Sequence, residues 1–530
     1  MRVDPQNKAF QAAFYLVEET NHNVFLTGKA GTGKTTFLRY FKQYGTKKAV
    51  IVAPTGVAAV NAGGMTIHSL FTIPPSVYPP NDPRLQVRTS GVGAVRTSLQ
   101  AHFMISKAKR KIFKEMELLI VDEISMVRCD LLDVMDRILR YYGGRRDLPF
   151  GGKQLLFIGD AYQLPPVTTS DAWDILRPHY QTPYFFGAQS WREANPKLIE
   201  LQKVYRQSDC TFVDILNRIR EGEHTQADID YLNQHYEPLG FDYASQGYIY
   251  LGTTNRDVDR RNAQELKRVK APLHTFVGEV SGDFQESDMN TPRELHLKVG
   301  AQVMFVKNDT GAESRRYFNG KIGKITKIKE DIITVDCSRP DGSHVEDPIQ
   351  VERTEWQKIR YEWNSEKGEI EEIKTGSYIQ FPIKLAWAIT VHKSQGLTFE
   401  HVYANLNGAF AAGQTYVALS RCTSFDGLKL AIRLRYRDVK VDEEVRRFAY
   451  DFADEAAIEA LLTETSFQAS AEAVEAFISR GEYAEAMTGL WQLKAEFPEQ
   501  KERLAALEER LHLHLKALQQ KVRRLEGEEE

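Results

Sequence analysis

The amino-acid sequence predicts an α/β protein built on doubly wound parallel sheets, and three observations support this fold class. Apolar runs of strand length alternate with segments whose apolar residues recur at helical spacing. The first four such runs are "NVFLT", "AVIVA", "ELLIV" and "QLLFI", and each ends in small or polar residues. Glycines and acids concentrate at those ends, where a parallel sheet of this type binds its ligands. The sequence therefore predicts a binding site along the carboxyl edge of a sheet.

The first run leads into "GKAGTGKTT", which fits the phosphate-loop pattern G-x-x-x-x-G-K-[ST] without a gap. Glycines between a strand and a helix let backbone N–H groups turn toward phosphates at the helix N-terminus. We expect Lys34 to reach the β- and γ-phosphates and the Thr35 hydroxyl to hold Mg²⁺. The segment thus predicts a site for ATP with magnesium. Its predicted nucleotide-binding residues are Gly28, Ala30, Gly31, Thr32, Gly33, Lys34, Thr35 and Thr36.

Two later strand ends supply residues for hydrolysis. In "LIVDEIS", we expect Asp122 to complete the Mg²⁺ site and Glu123 to orient and deprotonate the attacking water. In "GDAYQLPPV", we expect Gln163 to hydrogen-bond the γ-phosphate or that water. Taken alone, each fragment also fits a plain strand-end charge pair or a polar residue before a Pro-Pro turn.

Two arginines far along the chain suggest a second lobe. "LQKVYRQSD" carries Arg206, and "TYVALSRCTSFDGLKL" carries Arg421. Isolated arginines are usually surface residues. As a pair, they predict that a second lobe reaches the γ-phosphate and stabilises charge in the transition state. Hydrolysis between two lobes would open and close them, which is how a motor works.

Two segments suggest a nucleic-acid track. "ITVHKSQGLTFEHV" places short donors at the start of a helix, an arrangement that suits phosphate oxygens of a strand crossing the surface. "TIHSLF" repeats the arrangement with His68, Ser69 and Phe71, which we expect to be exposed. The alternative interpretation of both fragments is a capped helix start with core aromatics.

Composition limits the class of protein. The 530 residues correspond to about three to five domains. The four cysteines lie far apart, which disfavours zinc, iron–sulfur and disulfide frameworks and suits a reducing cytosol. No apolar run approaches a membrane span, and no signal-peptide core is present at the N-terminus, so we expect a bacterial-type cytoplasmic protein. A net charge of −3 means that any nucleic-acid binding comes from local basic surfaces.

In chain order, the segments "GKAGTGKTT", "APTGVAAVNAGGMTIHSLF", "LIVDEISM", "GDAYQLPPV", "VYRQ", "TVHKSQGLTFE" and "YVALSRCTS" resemble the petite-integration-frequency (PIF) family of superfamily 1 DNA helicases. Residues 123–144 resemble that family's signature segment. The resemblance implies two RecA-like lobes and ATP- and Mg²⁺-dependent 5′-to-3′ translocation on single-stranded DNA. It further implies unwinding of duplexes, G-quadruplexes and RNA–DNA hybrids, with roles in DNA repair and telomere maintenance. A forked or tailed duplex would be the partner of a monomer that could pair with a second copy on DNA.

The resemblance also carries residue roles. It supports the ATPase roles given above, places Gln395 and Gly396 near the nucleotide, and makes Gln11, with Gln6 as the alternative, the adenine-reading glutamine. The residues that fall in DNA-contacting motifs of the family are Thr55, Gly56, His68, Thr390, His392, Lys393 and Ser394.

Patterning and resemblance together predict the domain organisation. The predicted parts are a first lobe (1–71 and 118–200), a wedge or pin insertion (72–117), a second lobe (201–255 and 380–440), an SH3-like β subdomain (256–379) and a helical extension (441–530). The β subdomain carries a basic and aromatic stretch, "RRYFNGKIGKITKIK", that suits a DNA strand or an ordinary charged surface. Leucines at 3- and 4-residue steps from Leu504 predict an amphipathic helix that packs on the protein, dimerises or binds a partner.

Two other functions fit parts of the pattern. An ATP-switched clamp on single-stranded DNA would need the nucleotide site without processive unwinding, whereas both arginines and Glu123 favour turnover. A RecD-like or relaxase-associated helicase is the alternative within the enzyme class, and the segment 124–144 favours the PIF family over it.

Overall fold

A computed structural model describes residues 7–86, 98–203, 209–238, 240–307, 309, 316–317, 319–338, 347–364, 369–408, 411–450 and 455–526. Arg206, Gln6 and Phe318, which the predictions above include, lie outside these ranges. The chain divides into two compact units, one comprising His22–Phe452 and the other Arg2–Asn21 with Ala453–Glu530. None of the described helices combines the length and apolarity needed to cross a lipid bilayer.

The described strands, in chain order, are β1 (Val24–Gly28), β2 (Ala49–Ala53), β3 (Met65–Thr66), β4 (Leu118–Val121), β5 (Gln154–Ile158), β6 (Lys197–Leu201), β7 (Ile249–Gly252), β8 (His274–Val277), β9 (Glu279–Gly282), β10 (Glu294–Leu297), β11 (Gln302–Phe305), β12 (Ile322–Ile328), β13 (Ile333–Asp336), β14 (Ile349–Val351), β15 (Thr354–Asn364), β16 (Glu369–Gln380), β17 (Ile383–Leu385), β18 (Ala388–Thr390), β19 (Val402–Ala404) and β20 (Leu428–Leu430).

The described helices are α1 (Lys8–Glu19), α2 (Lys34–Tyr44), α3 (Gly56–Ala62), α4 (Ile67–Phe71), α5 (Ser98–Phe103), α6 (Lys107–Glu115), α7 (Cys129–Tyr142), α8 (Ser170–Leu176), α9 (Gln189–Ala194), α10 (Cys210–Glu221), α11 (Gln226–Leu232), α12 (Asn255–Arg268), α13 (Gln414–Leu419), α14 (Glu443–Ala449), α15 (Glu455–Arg480), α16 (Tyr483–Glu496) and α17 (Lys501–Glu526).

The first sheet has six parallel strands in the order β3-β2-β4-β5-β1-β6. β1, β4 and β5 are buried along their whole length, as expected for apolar runs in the middle of a parallel sheet. The phosphate loop follows β1, the Asp122–Glu123 pair follows β4, and Asp160 and Gln163 follow β5. Because the three strands are parallel neighbours, their polar ends meet at one edge of the sheet.

The second sheet has four parallel strands in the order β18-β7-β19-β20. Its hydrophobic core includes Leu251 of β7 and Val402 of β19, and it extends to Ala30 of the phosphate loop and Leu164 beyond β5. The two α/β lobes therefore pack directly against each other beside the phosphate loop. The predicted α/β fold with two parallel-sheet lobes is confirmed.

Antiparallel strands are inserted before the last strands of the second lobe. One sheet has the order β14-β13-β12-β11-β17. In a separate sheet, the long strands β15 and β16 pair with each other, and β16 also pairs with β9. The alternation seen in "GAQVMFVKND" and "KIGKITKIK" thus forms antiparallel strands, as its period of two indicates. Tyr317 does not form an open stacking surface, because it is partly buried and stacks on Phe305 with ring centroids 4.2 Å apart.

The segment that resembles the family signature forms helix α7, and its buried acids hold surrounding loops in place. Asp130 accepts the backbone N–H of Tyr78 at 2.9 Å, in the chain that precedes α5. Asp133 accepts the Tyr180 hydroxyl at 2.8 Å. Asp136 accepts the backbone N–H of Phe150 at 2.6 Å. Since a buried carboxylate without partners is costly, these bonds explain why acids occupy an otherwise apolar helix.

The second compact unit is helical. α1 contacts α15, and Lys8 forms an ion pair with Glu459 at 2.6 Å. The described residues 7–21 therefore belong with the C-terminal helices, which differs from their predicted place in the first lobe. α17 runs parallel to α15, because Arg503 pairs with Glu464 and Arg510 with Glu475. The described members of this unit's core that come from the predicted leucine stripe are Leu504, Leu507, Leu511 and Leu515.

Candidate active site

The phosphate loop has the backbone that its glycines allow. Gly28, Gly31 and Gly33 have φ angles of 152°, 84° and 100°. A Cβ on Gly28 would lie 2.5 Å from the Thr32 hydroxyl oxygen and 2.8 Å from the carbonyl oxygen of Leu201, so no side chain fits there. The loop ends at the start of α2, and this arrangement directs N–H groups toward an anion.

Lys34 lies over the loop rather than away from it. Its ammonium group donates to the carbonyl oxygens of Gly28, at 2.5 Å, and Lys29, at 3.0 Å. The Thr32 hydroxyl also donates to Lys29, at 3.0 Å. Thr35 and Thr36 are exposed at the start of α2. The Lys34 ammonium group and the exposed Thr35 thus lie at the loop and helix start, where the sequence pattern predicts phosphate and metal contacts.

The acids after β4 lie in an unusual local conformation. The backbone N–H of Asp122 donates to Val52 at 2.9 Å, which extends the sheet by one step. Glu123 then adopts φ 51° and ψ 45°, a left-handed conformation that costs a non-glycine residue about 1–3 kcal/mol. Its N–H donates to Asp122 Oδ1 at 3.0 Å. Burial raises the pKa of both carboxyl groups, and the charge of Lys34 opposes that rise.

The donor set at this edge fits a magnesium–nucleotide complex. The Thr35 hydroxyl and the Asp122 carboxylate are hard oxygen donors beside the loop. Among the described residues, no group of three or more His, Cys, Asp or Glu side chains is arranged to hold a metal ion. Few protein ligands are what Mg²⁺ needs, since it keeps water and takes phosphate oxygens.

Gln395 of the second lobe completes this edge. Its amide nitrogen donates to Glu123 Oε2 at 3.4 Å and to Gln163 Oε1 at 3.2 Å. Gln163 is buried and donates to Asp160 Oδ2 at 3.4 Å. Gly396 follows Gln395 with φ 77°. The structure thus brings together the three site residues predicted from separate motifs, one of which comes from the other lobe.

Arg421 is a fully buried arginine, 1% exposed, at the same interface. Its guanidinium donates to the carbonyl oxygens of Val417, at 2.8 Å, and Leu397, at 3.1 Å, and to the Ser420 hydroxyl at 2.9 Å. Burial lowers its pKa, and the nearby charge of Glu123 partly offsets this. Arg421 forms no ion pair with any residue that the structure describes. A buried cation held by neutral groups is suited to attract an anionic ligand.

Two buried residues of the second lobe escaped sequence reasoning. Tyr416 of α13 accepts the backbone N–H of Ala30, a phosphate-loop residue, at 2.9 Å. Arg220 of α10 forms ion pairs with Asp160 at 3.1 Å and Glu200 at 2.9 Å. Tyr416 lies inside the quoted "TYVALSR" segment and could have been found there. Arg220, in "ILNRIREGE", belongs to no pattern that the sequence suggested.

The predicted DNA-contacting residues of the first lobe lie at helix starts. Thr55 is exposed, and its hydroxyl caps α3 by accepting the N–H of Ala58 at 3.2 Å. Gly56 begins that helix, and His68 lies on α4. Burial and the charge of Arg128 lower the pKa of His68. Phe71 is wholly buried and stacks on Phe113, so its predicted exposure is wrong.

At the end of β18 and in the turn that follows it, two of the predicted DNA-contacting side chains are exposed and two are buried. His392 and Lys393 have their side chains on the surface, although burial of the ring lowers the pKa of His392. Thr390 and Ser394 are buried. The Thr390 hydroxyl accepts the N–H of Lys393 at 3.2 Å, and the Ser394 hydroxyl donates to the carbonyl of Val391 at 2.7 Å. The two buried hydroxyls shape the turn on which the two exposed side chains stand.

The predicted contacts of Arg206 and Gln11 with the nucleotide are not tested by this geometry. Arg206 falls in residues 204–208, outside the described part of the chain. Gln11 lies on α1, within the helical unit. The roles predicted for both residues stay predictions.

A phosphate loop, a strand-end acid pair and two RecA-like lobes with a shared buried interface define a P-loop nucleotide-binding protein of the two-lobed motor class. The model of the PIF1-like helicase family matches residues 3–230. The ATP-dependent DNA helicase Pif1 of Bdellovibrio bacteriovorus is 30% identical over 83% of this chain and 91% of its own length. The chain belongs to the PIF1-like helicase family.

Two further comparisons define the extent of the similarity. Pif1 from Bacteroides sp., solved in complex with ADP-AlF4, aligns with a TM-score of 0.75 and 35% identity, covering 85% of this chain and 97% of that one. The ATP-dependent DNA helicase PIF1 of Saccharomyces cerevisiae is 28% identical over 84% of this chain. This chain spans 64% of the length of that yeast relative.

Proposed function

We propose that this protein is an ATP-driven DNA helicase that moves 5′ to 3′ along single-stranded DNA and separates forked or tailed duplexes. Family membership supports the activity, and the resemblance to the 5′-to-3′ branch supports the direction. G-quadruplexes and RNA–DNA hybrids are proposed as further substrates on that resemblance.

One observation carries the proposal. Residues 390–396 form a single turn that exposes Lys393 on one side and sends Gln395 to Glu123 and Gln163 on the other. Only Ser394 lies between Lys393, whose side chain is exposed, and Gln395, whose amide reaches the hydrolysis site. A phosphate contact at Lys393 would therefore shift Gln395, and a change at the nucleotide would shift the DNA-facing surface. Such reciprocal coupling is what a DNA-stimulated motor requires.

The proposed chemistry uses residues at the carboxyl edge of the first sheet. The loop amides and Lys34 bind the phosphates, and the Thr35 hydroxyl and the Asp122 carboxylate hold Mg²⁺. When bound, Mg²⁺ supplies charge neutralisation at the phosphates. Glu123 is proposed to accept a proton from the attacking water, since burial raises the pKa of its carboxyl group and so makes the carboxylate a stronger base.

The second lobe contributes the remaining charge. Arg421 is proposed to stabilise the transferred phosphoryl group, and Arg206 is proposed as a second arginine with the same task. The buried state of Arg421 supports its role, because a cation excluded from water acts more strongly on developing negative charge. Binding and release of the phosphates would then pull the lobes together and let them part.

Relatives support the choice of DNA partner. Bacteroides Pif1 has been solved bound to single-stranded DNA, and that structure aligns at 36% identity with a TM-score of 0.57. Another solved structure, which aligns at 35% identity with a TM-score of 0.56, describes unwinding at forked double-stranded DNA by two coordinating Pif1 helicases. For this chain, we propose a monomer as the motor unit and pairing of two copies on a fork.

The test is strand separation on matched duplexes with a 5′ tail, a 3′ tail or no tail. We expect ATP-dependent separation of the 5′-tailed duplex alone, and none with Lys34→Ala, which loses its phosphate contact. Separation of the 3′-tailed duplex would support the helicase activity and refute the 5′-to-3′ direction. DNA-stimulated hydrolysis without separation of any duplex would favour an ATP-switched clamp.

A further inference from the structure

Arg220 lies at the centre of a charged cluster between the lobes. It is 2% exposed, at the carboxyl end of α10, and it stacks over the Tyr162 ring at 4.4 Å from the ring centroid. Its guanidinium reaches Asp160 at 3.1 Å and Glu200 at 2.9 Å, both at the edge of the first sheet. A second-lobe arginine is thus inserted between two strand ends of the first lobe.

Asp160 links this arginine to Glu123 at the hydrolysis site through two further side chains, Gln163 and Gln395. Besides Arg220, Asp160 accepts the side-chain nitrogen of Gln163 at 3.4 Å. Gln163 accepts the amide nitrogen of Gln395 at 3.2 Å. Gln395 donates with the same nitrogen to Glu123 at 3.4 Å. An unbroken chain of polar contacts therefore runs from Arg220 to the proposed base.

The direction of the hydrogen bonds along this chain follows from the groups at its ends. A carboxylate accepts and does not donate, so Gln163 must turn its NH₂ group toward Asp160. That orientation leaves its oxygen facing Gln395, which must then turn its own NH₂ group toward Gln163 and Glu123. If Asp160 were lost or displaced, Gln163 could rotate by half a turn, and Gln395 would present an oxygen to the carboxylate. The Asp160 carboxylate therefore sets the orientation of both amides.

One atom of the chain is left over. Gln395 Oε1 is buried and has no hydrogen-bond partner among the described residues. A buried acceptor without a donor is costly, so it marks a position where a donor is expected. Because its NH₂ group bonds to Glu123, this oxygen belongs to a side chain that contacts the proposed base, and the inference assigns it the role of accepting an O–H from the attacking water. The orientation of Gln395 is then part of how that water is held.

Three of the four contacts in this chain of side chains cross from one lobe to the other. Arg220 and Gln395 belong to the second lobe, and Asp160, Gln163 and Glu123 belong to the first. Two of the contacts between the lobes, Arg220 Nε to Asp160 and Gln395 to Glu123, measure 3.3 and 3.4 Å, at the long end for hydrogen bonds, so a small closing movement would shorten them together. The chain of side chains is thus sensitive to how closely the lobes approach each other.

We propose that Arg220 is a positioning residue that sets the orientation of Gln163 and Gln395 through Asp160 and so makes hydrolysis depend on lobe closure. This inference rests on the proposed ATPase function and adds a residue to it. In this proposal Arg220 acts on Gln163 and Gln395 rather than on the nucleotide. Hydrolysis therefore proceeds at full rate only when the second lobe has placed its arginine against Asp160.

The experiment is a double-mutant cycle between Arg220 and Gln163, which do not touch each other. We expect Arg220→Gln to lower kcat of single-stranded-DNA-stimulated hydrolysis by about tenfold or more, with little change in the affinity for a fluorescent ATP analogue. In a Gln163→Ala background, the same substitution should have no further effect on kcat, since the chain is already broken. Arg220→Lys should recover part of the rate, because it keeps the charge.

Arg218→Gln is the matched control. Arg218 lies on the same helix and pairs with Asp228 at 2.5 Å, but it is not connected to the chain. It should leave kcat unchanged. If Arg220→Gln fails to fold, the double variant Arg220→Met with Asp160→Asn also removes the Asp160 charge that the loss of Arg220 would leave without its arginine. Its kcat should fall by the same factor as that of Asp160→Asn alone.

The outcomes separate the inference from the function. If the wild type hydrolyses ATP and the effects of Arg220→Gln and Gln163→Ala multiply, the positioning role is refuted and the function stands. Loss of analogue binding together with kcat in Arg220→Gln would also refute it, since that pattern indicates general disruption. A wild type without ATP hydrolysis would refute both.

Discussion

The hydrolysis site and the predicted DNA-contacting surface are built differently. At the hydrolysis site, Gln163 and Arg421 are buried. Gln163 bonds to the side chain of Gln395, and Arg421 bonds to backbone carbonyl oxygens. On the predicted DNA-contacting surface, Thr55 and Lys393 are exposed. Thr55 precedes helix α3, whereas Lys393 lies in a turn over residues 391–396 that no helix follows, so the helix start predicted there is wrong. One region holds its groups in fixed positions before the ligand arrives, and the other leaves them in water.

The difference follows from what each region has to do. Transition-state stabilisation depends on groups that are fixed and shielded from water, where electrostatic interactions are strong. A track must instead release each phosphate soon after binding it, so individual contacts should be weak, hydrated and salt-dependent. We therefore expect substitutions to have large effects on rate at the first region and small effects on affinity at the second.

The largest effect is expected from Glu123→Gln. Removing the base should lower kcat by about 100- to 10,000-fold. The amide is nearly the same size as the carboxylate, so the protein should still bind ATP and DNA together. The measurement is steady-state hydrolysis with single-stranded DNA, with Glu330→Gln, an exposed acid on a turn, as the control. Normal turnover in Glu123→Gln would exclude Glu123 as the base.

An intermediate effect is expected from pH. Burial and the charge of Glu123 raise the pKa of Asp122 to about 7. A raised pKa means that the proton is bound below that pH, and only the deprotonated carboxylate can hold a cation or accept a proton. We therefore expect kcat/KM for ATP to rise with pH through about 7 and level off above it, by about tenfold per unit on the acidic side. The assay uses saturating DNA, and thermal melting at each pH excludes unfolding. A value of kcat/KM that does not change between pH 6 and 8 would contradict the raised pKa of Asp122.

The smallest effect is expected at the DNA-facing side. Lys393→Ala should weaken single-stranded DNA binding about three- to tenfold and lower the slope of log K against log salt by about 0.7. Fluorescence anisotropy across a salt series measures both quantities. Lys267→Ala is the control, since Lys267 is an exposed lysine on α12, a helix that packs against β7 and β18 of the second sheet. Equal slopes for the wild type and Lys393→Ala would remove Lys393 from the track and end the contrast between the regions.

The same contrast explains how much the sequence could predict. The phosphate loop, the acids after β4 and Gln163 each belong to a short contiguous pattern, because one strand and the turn after it determine their position. The parallel sheets were predictable for the same reason, since each apolar run is its own evidence.

Contacts between distant segments were not predictable. Arg220 lies 60 residues from Asp160, and nothing local to "ILNRIREGE" indicates a buried ion pair. Phe71 was expected on the surface as part of a predicted nucleic-acid-contacting segment, whereas Phe113 covers it from a separate helix. The membership of α1 in the helical unit depends on α15, more than 400 residues later in the chain. Long-range packing decides such cases, and it leaves no periodic signal.

The distribution of cysteines offers a practical opportunity. Cys129 and Cys422 are buried, and burial raises the pKa of both thiols, whereas Cys210 is exposed at the first residue of α10. Thiol-reactive reagents require an accessible thiolate, so Cys210 should react first. It begins the helix that ends in Arg220 and Glu221, about 17 Å along the axis at 1.5 Å per residue. A fluorophore coupled there would report the arrival of that helix at the first lobe in real time, in a protein with no engineered attachment site.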